Sequence, residues 1–222
     1  MARSQSPPID RELIAQRTIQ SLHELYPDAD TALDYSAPHE LLIATILSAQ
    51  STDATVNRVT KDLFKKYPTI QSFADANPEE LEQDIRPTGF FRNKTRHVIG
   101  AARKIVAEHG GKVPDTMEEL TRLPGVARKT ANVVLGTYFK KPEGFVVDTH
   151  VKRVTFRLGL TDEKDPEKIE RDLMEVFPRE EWIFLGHAII LHGRQICTAR
   201  RPMCEICPLN DVCPKRGVAK PK

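Results

Sequence analysis

An all-α fold follows from three features of this 222-residue sequence: apolar residues recur at helical spacing along most of its length, the segments between them are short and punctuated by proline or glycine, and no convincing alternating strand appears. In the first segment Ile9, Leu13, Leu22, Leu25 and Tyr26 follow a helical period, which Tyr26-Pro27 ends. Leu41, Leu42, Ile46 and Leu47 form a buried stripe, and Val56, Val59, Leu63 and Phe64 form another before Tyr67-Pro68. Asn77-Pro78-Glu79-Glu80 supplies an N-cap, a first-turn proline and carboxylates that suit the helix dipole. Asp165-Pro166-Glu167 repeats that design ahead of Ile169, Leu173, Val176 and Phe177. Residues 99–108 read as a helix closed by Gly110-Gly111. Residues 115–123 and 128–138 read as a helical pair joined through Pro124-Gly125, and residues 144–147 are the nearest approach to a strand. Residues 2–8 and 217–222 read as mobile tails.

Composition narrows the class of function. Apolar residues make up 40% of the chain and charged residues 29%, the balance of a soluble globular protein. The first residues lack the apolar core of a signal peptide, and the longest apolar runs fall short of a membrane span, so a soluble intracellular protein is expected. The net charge of +2 conceals two basic zones, with net charges of +6 over residues 122–157 and +5 over residues 193–222. Concentrated positive charge on a nearly neutral chain suits a protein that meets a polyanion with one surface.

Two motifs carry chemistry. In Leu123-Pro124-Gly125-Val126-Ala127-Arg128-Lys129, proline and glycine make a tight turn at the start of a helix. Unpaired amides at a helix N-terminus bind phosphate without regard to base sequence. An ordinary helix–turn–helix corner explains the turn equally well by itself. Arg128 and Lys129 directly behind it, and Asp148-Thr149-His150 nineteen residues after the lysine, favour the functional reading. The second motif is Cys197-x6-Cys204-x2-Cys207-x5-Cys213, which contains every cysteine in the chain. Four thiolates can hold zinc or a [4Fe–4S] cluster; a zinc ribbon ordinarily has two close pairs, and this array has one.

These residues resemble the helix-hairpin-helix DNA glycosylase superfamily, and most closely its endonuclease III family. The resemblance rests on Leu123 to Val126, Arg128 to Leu135, Val147 to His150, Leu47 to Asp53, Leu191 to Arg194 and the cysteine array. It covers nearly the whole chain. It implies two helical domains with a DNA-binding cleft between them: residues 32–143 as a six-helix domain with the hairpin, and residues 1–31 with 144–222 as a discontinuous [4Fe–4S] domain. It also implies a bifunctional base-excision repair enzyme that removes oxidised pyrimidines and cleaves at abasic sites by β-elimination.

By the same resemblance, Lys129 is the nucleophile and Asp148 the essential carboxylate. The amine must be neutral to attack, a form favoured by a partly desolvated, cation-rich site, and the carboxylate offsets oxocarbenium character on the sugar. Cys197, Cys204, Cys207 and Cys213 would hold a [4Fe–4S] cluster, presenting Arg200 and Arg201 to the DNA backbone. Gly125, Ala127 and Arg128 would meet phosphate. Gln50 matches the residue that fills the gap left by an extruded nucleotide, and Phe90 falls where a second, apolar wedge is supplied. Both also have bland explanations, core packing for Phe90 and a polar helix cap for Gln50. The chain departs from the family pattern at Ala127, where a second glycine is usual, and at Thr121, where relatives can carry a carboxylate. If the turn at 127 needs positive φ, alanine weakens phosphate binding. The expected partner is double-stranded DNA with damaged pyrimidines or abasic sites, met by a monomer with no membrane, in a bacterial cytoplasm and associated with the nucleoid.

Overall fold

The computed structural model describes residues 10–219. The expected start of the first helix at Ile9 and the tails at 2–8 and 220–222 lie outside the described residues. Every regular element among those described is helical. The chain divides into two compact units, one formed by residues up to Asp30 together with those from Gly144 onward, the other by Thr31–Glu143.

The continuous unit carries α2 (Pro38–Leu47), α3 (Asp53–Lys66), α4 (Ile70–Ala74), α5 (Pro78–Ile85), α6 (Phe91–His109), α7 (Met117–Thr121) and α8 (Arg128–Thr137). Local chemistry starts these helices where the sequence indicates. Asn77 Oδ1 accepts from the backbone of Glu79 and Glu80, and Thr52 Oγ1 accepts from Thr55 N–H. The core of this unit includes Leu41, Leu42, Leu47, Phe73, Leu81, Ile85, Ile105 and Leu135, all fully enclosed. Helices α6 and α7 differ from expectation in their bounds. Helix α6 begins at Phe91, several residues before the apolar stripe, because Phe90 adopts a left-handed backbone (φ 47°) that turns the chain into the helix without a side-chain cap. Helix α7 covers only Met117–Thr121, and its start is set by Thr116, whose hydroxyl caps it from an extended conformation.

The discontinuous unit packs α1 (Arg11–Leu25) with α9 (Thr149–Leu158), α10 (Pro166–Val176) and α11 (Trp182–Gln195). Its core joins Ile14 and Leu22 of α1 to Val151, Leu173, Leu185 and Ile189. Asp165 caps α10 through the backbone of Glu167 and Lys168. Residues 144–147 form no strand; they run as buried irregular chain, with Phe145 stacked on Phe177. Near the end of the described residues Arg216 N–H donates to Arg157 O, Val218 N–H donates to Lys215 O, and Gly217 lies against the Phe156 ring. No helix among the described residues is long and apolar enough to cross a membrane.

Candidate active site and cysteine array

The hairpin turn is held by tertiary packing within its own unit. Leu123 is buried, Val126 N–H donates to Leu123 O at 3.1 Å, and Gly125 takes φ +76°. A Cβ added at Gly125 would lie 2.6 Å from His97 Cβ on α6, so both backbone and space demand glycine there. Ala127 is different. It occupies the N-cap of α8 at φ −87° and ψ 170°, extended backbone open to any residue, so the second-glycine position imposes no left-handed requirement on this chain. Helix α8 has no side-chain cap and no acidic residue in its first turn, which leaves its positive end for an outside anion. Lys129 is exposed on that first turn, and Arg128 is half-buried beside it. The partial desolvation expected around the lysine is therefore not supplied by the hairpin. Thr121 turns back on its own helix, its hydroxyl donating to Met117 O and Glu118 O.

Asp148 sits at the N-cap of α9, half-buried. Its Oδ1 accepts from His150 N–H at 2.7 Å and Val151 N–H at 2.8 Å. Those two bonds fix the carboxylate's rotation and leave Oδ2 without a hydrogen-bond partner among the described residues. His150 follows as a structural neighbour: Arg153 Nη2 lies 3.2 Å from its Nδ1 and donates to Gly193 O at 2.7 Å.

The four cysteines are free, half-buried thiols that line one pocket together with Arg157 and His192. Burial pushes the Cys213 thiol up to about 11 and the Cys207 thiol up as well, with neighbouring cysteines adding to the effect. Burial pushes the His192 imidazolium down to about 4, so the ring is neutral near pH 7, and its Nε2 lies 3.6 Å from Cys207 Sγ. Arg157 is 7% exposed although charged. Its guanidinium donates to Cys197 Sγ at 3.3 Å and to the carbonyls of Cys197, Thr198 and Ala199 at 3.3, 2.7 and 2.8 Å. The loop is closed further by Met203 N–H to Ile196 O and Thr198 Oγ1 to Arg201 O. Arg200 and Arg201 project from it, exposed.

The donor set fits a cubane cluster. A single tetrahedral ion needs its four sulfurs within roughly 4 Å of one another. No three His, Cys, Asp or Glu side chains among the described residues form a group that could hold one ion. A cubane gives each thiolate its own iron and so takes a wider spread, and hydrogen-bond donors to the sulfurs are the usual surroundings of such a cluster.

Of the other expected residues, Gln50 and Phe90 lie in the continuous unit, both exposed and both left-handed, at φ 53° and 47°. Phe90 is 63% exposed, which excludes core packing as its role. Gln50 does not cap a helix; Thr52 has that position on α3. Sequence reasoning missed Arg153, Arg157 and His192. For Arg157 a signal exists, since it adjoins Leu158 on the apolar face that Val151 and Val154 begin.

Comparison with known proteins places the molecule. The model of the HhH-GPD superfamily, described as base excision DNA repair proteins, matches residues 43–179, and that of the iron–sulfur binding domain of endonuclease III matches residues 197–213. Endonuclease III of Synechocystis sp. is 54% identical over 193 residues, 87% of this chain and 88% of its own. That of Bacillus subtilis is 42% identical, with 91% and 95% covered. A solved endonuclease III in non-covalent complex with DNA superposes with a TM-score of 0.88 at 43% identity, covering 93% of this chain and 96% of its own. A trapped covalent endonuclease III–DNA intermediate gives the same TM-score at 42% identity, covering 93% and 97%. The chain belongs to the HhH-GPD superfamily of base excision DNA repair proteins and, within it, to the endonuclease III family. Its cysteine array is a [4Fe–4S] site.

Proposed function

We infer that this protein excises oxidised pyrimidines from duplex DNA and then cleaves the strand at the resulting abasic site. The observation that carries the reading is the motif from Gly125 to Lys129 at the uncapped end of α8, in a chain 42% identical to an endonuclease III trapped covalently on DNA. Lys129 Nζ attacks the anomeric carbon as the damaged base leaves with the glycosidic electron pair, and the ring opens to a protonated Schiff base. That iminium acidifies the 2′ carbon; loss of its proton expels the 3′ phosphate, and water releases the lysine. Asp148, with Oδ1 held by two amides, offers Oδ2 to the positive charge that develops on the sugar.

The remaining residues bind and open the duplex. The amides behind Gly125 and Ala127, with Arg128, take a phosphate. Arg200 and Arg201 meet the DNA backbone from a loop whose carbonyls at Cys197, Thr198 and Ala199 accept from Arg157. When bound, the [4Fe–4S] cluster cross-links that segment and supplies structure. Gln50 and Phe90 fill the space of the extruded nucleotide, with Phe90 stacking where an aliphatic wedge would only pack. The enzyme works as a monomer in the cytoplasm, on the DNA of the nucleoid.

Borohydride trapping tests the chemistry. Duplexes carrying one thymine glycol or one abasic site should each give a covalent protein–DNA band with the wild type, and Lys129→Ala should give none. Excision by that variant should fall by about 10³-fold or more, while its melting temperature stays put because the side chain is exposed. A band that persists in Lys129→Ala would assign the nucleophile elsewhere.

A further inference from the structure

One buried ammonium stands between the two loops that carry Gln50 and Phe90. Lys94, which closes the first turn of α6, is 3% exposed and has no carboxylate partner among the described residues. Its Nζ donates to Leu47 O at 2.8 Å and to Thr88 O at 2.7 Å. Leu47 ends α2, three residues before Gln50, and Thr88 lies two residues before Phe90. The backbone N–H of Lys94 donates to Phe90 O at 3.1 Å, so a single residue grips the second loop from both sides of Gly89.

Packing alone does not call for this residue. Methionine would fill a similar volume without burying a charge, and burial pushes the Lys94 ammonium down from its ordinary value. What the charge provides is a strong bond to two carbonyls 41 residues apart in sequence. Both loops carry a non-glycine residue in the left-handed region just beyond the gripped carbonyl. Such backbone persists where the surroundings over-determine it, and it clusters at functional positions.

We propose that Lys94 is a positioning residue for strand opening, tying the Gln50 and Phe90 loops into one rigid pair that enters the duplex together. The proposal rests on the duplex-opening role given above to Gln50 and Phe90. A gap one nucleotide wide leaves little tolerance in the relative placement of two fillers, and loops joined to a common buried donor need not be ordered separately on binding.

The test begins on free holoprotein. Lys94→Met removes the donors and keeps the length. Amide exchange at residues 48–52 and 88–92 should accelerate together by roughly tenfold, with no change at 197–213. A double-mutant cycle in single-turnover excision follows. Gln50→Ala and Phe90→Ala should each slow excision in the wild type, and each by a much smaller factor in the Lys94→Met background. Unchanged exchange, acceleration in one loop only, or losses that multiply independently would overturn the proposal. If Lys94→Met does not fold, Lys94→Gln, which keeps a donor able to reach one carbonyl, is carried through the same measurements. Faster exchange in both loops, with Gln50→Ala and Phe90→Ala harmless in the wild type, would leave the tie intact and sink the duplex-opening reading instead.

Discussion

The hairpin end of α8 and the cysteine loop from Cys197 to Cys213 both carry exposed positive charge, at Lys129 and at Arg200 and Arg201, and they are made rigid in opposite ways. The hairpin is finished by backbone geometry: one glycine at φ +76°, one close approach to His97 and an uncapped helix. The loop has no long helix of its own, only a three-residue 3₁₀ turn at Cys204–Ile206. It is held by what it surrounds and by a guanidinium brought from α9. A turn finished by backbone geometry tolerates changes of side chain and fails with a change of backbone. A site built around a cluster and a buried arginine tolerates changes at its surface and fails with a change at its centre.

The sharpest way to break this contrast after the lysine is Arg157→Met. Three carbonyls and a thiolate lose their donor, at a cost of about 3 kcal/mol or more, and thermal unfolding together with loss of the ~400 nm cluster absorption should register it. The continuous unit, probed by amide exchange at residues 31–143, should be unaffected. Gly125→Ala is the matching lesion in the hairpin. The positive φ and the 2.6 Å approach to His97 Cβ predict a destabilisation of about 1–3 kcal/mol, read in a denaturant melt. Affinity for an abasic-site duplex should fall while the cluster spectrum is retained.

Smaller effects sharpen the comparison. Arg200→Ala and Arg201→Ala remove exposed charges, so each should lower the slope of log affinity against log salt by about 1 without moving the melting temperature. Ala127→Gly should do least. At φ −87° alanine already fits, so glycine adds only the entropy of its unfolded state, a loss of up to about 1 kcal/mol. DNA affinity should change by less than about threefold, and a larger gain would mean that the methyl does obstruct the phosphate.

Much of the fold is legible in the chain because its signals are local. Asn77-Pro78 and Asp165-Pro166 announce helix starts within four residues, and the structure finds both capped. The start of α6 is not legible, since Phe90 opens it through a left-handed turn rather than a capping side chain. Residues 144–147 hold the β-branched residues of a strand, yet among the described residues there is no strand to pair with them, and they are buried. The candidate site divides in the same way. Lys129, Asp148 and the cysteines lie in compact motifs, so their residue types and spacing can be seen in sequence. Arg157 acts 40 residues away and shows in the sequence only through its place on the apolar face of α9, and Lys94, which acts 47 residues away, looks like an ordinary helical cation.

The sequence by itself determined the all-helical class, the helix starts that Asn77 and Asp165 cap, the glycine turn, the run of chemistry-bearing side chains and the four thiols, because each depends on neighbours in the chain. Only the tertiary structure decided which cations are buried and what they hold, that Ala127 needs no special backbone, and that Phe90 stands in solvent. Those outcomes depend on which distant backbone groups are left without partners when the helices pack, and burial of a carbonyl or a charge is a property of the packed whole.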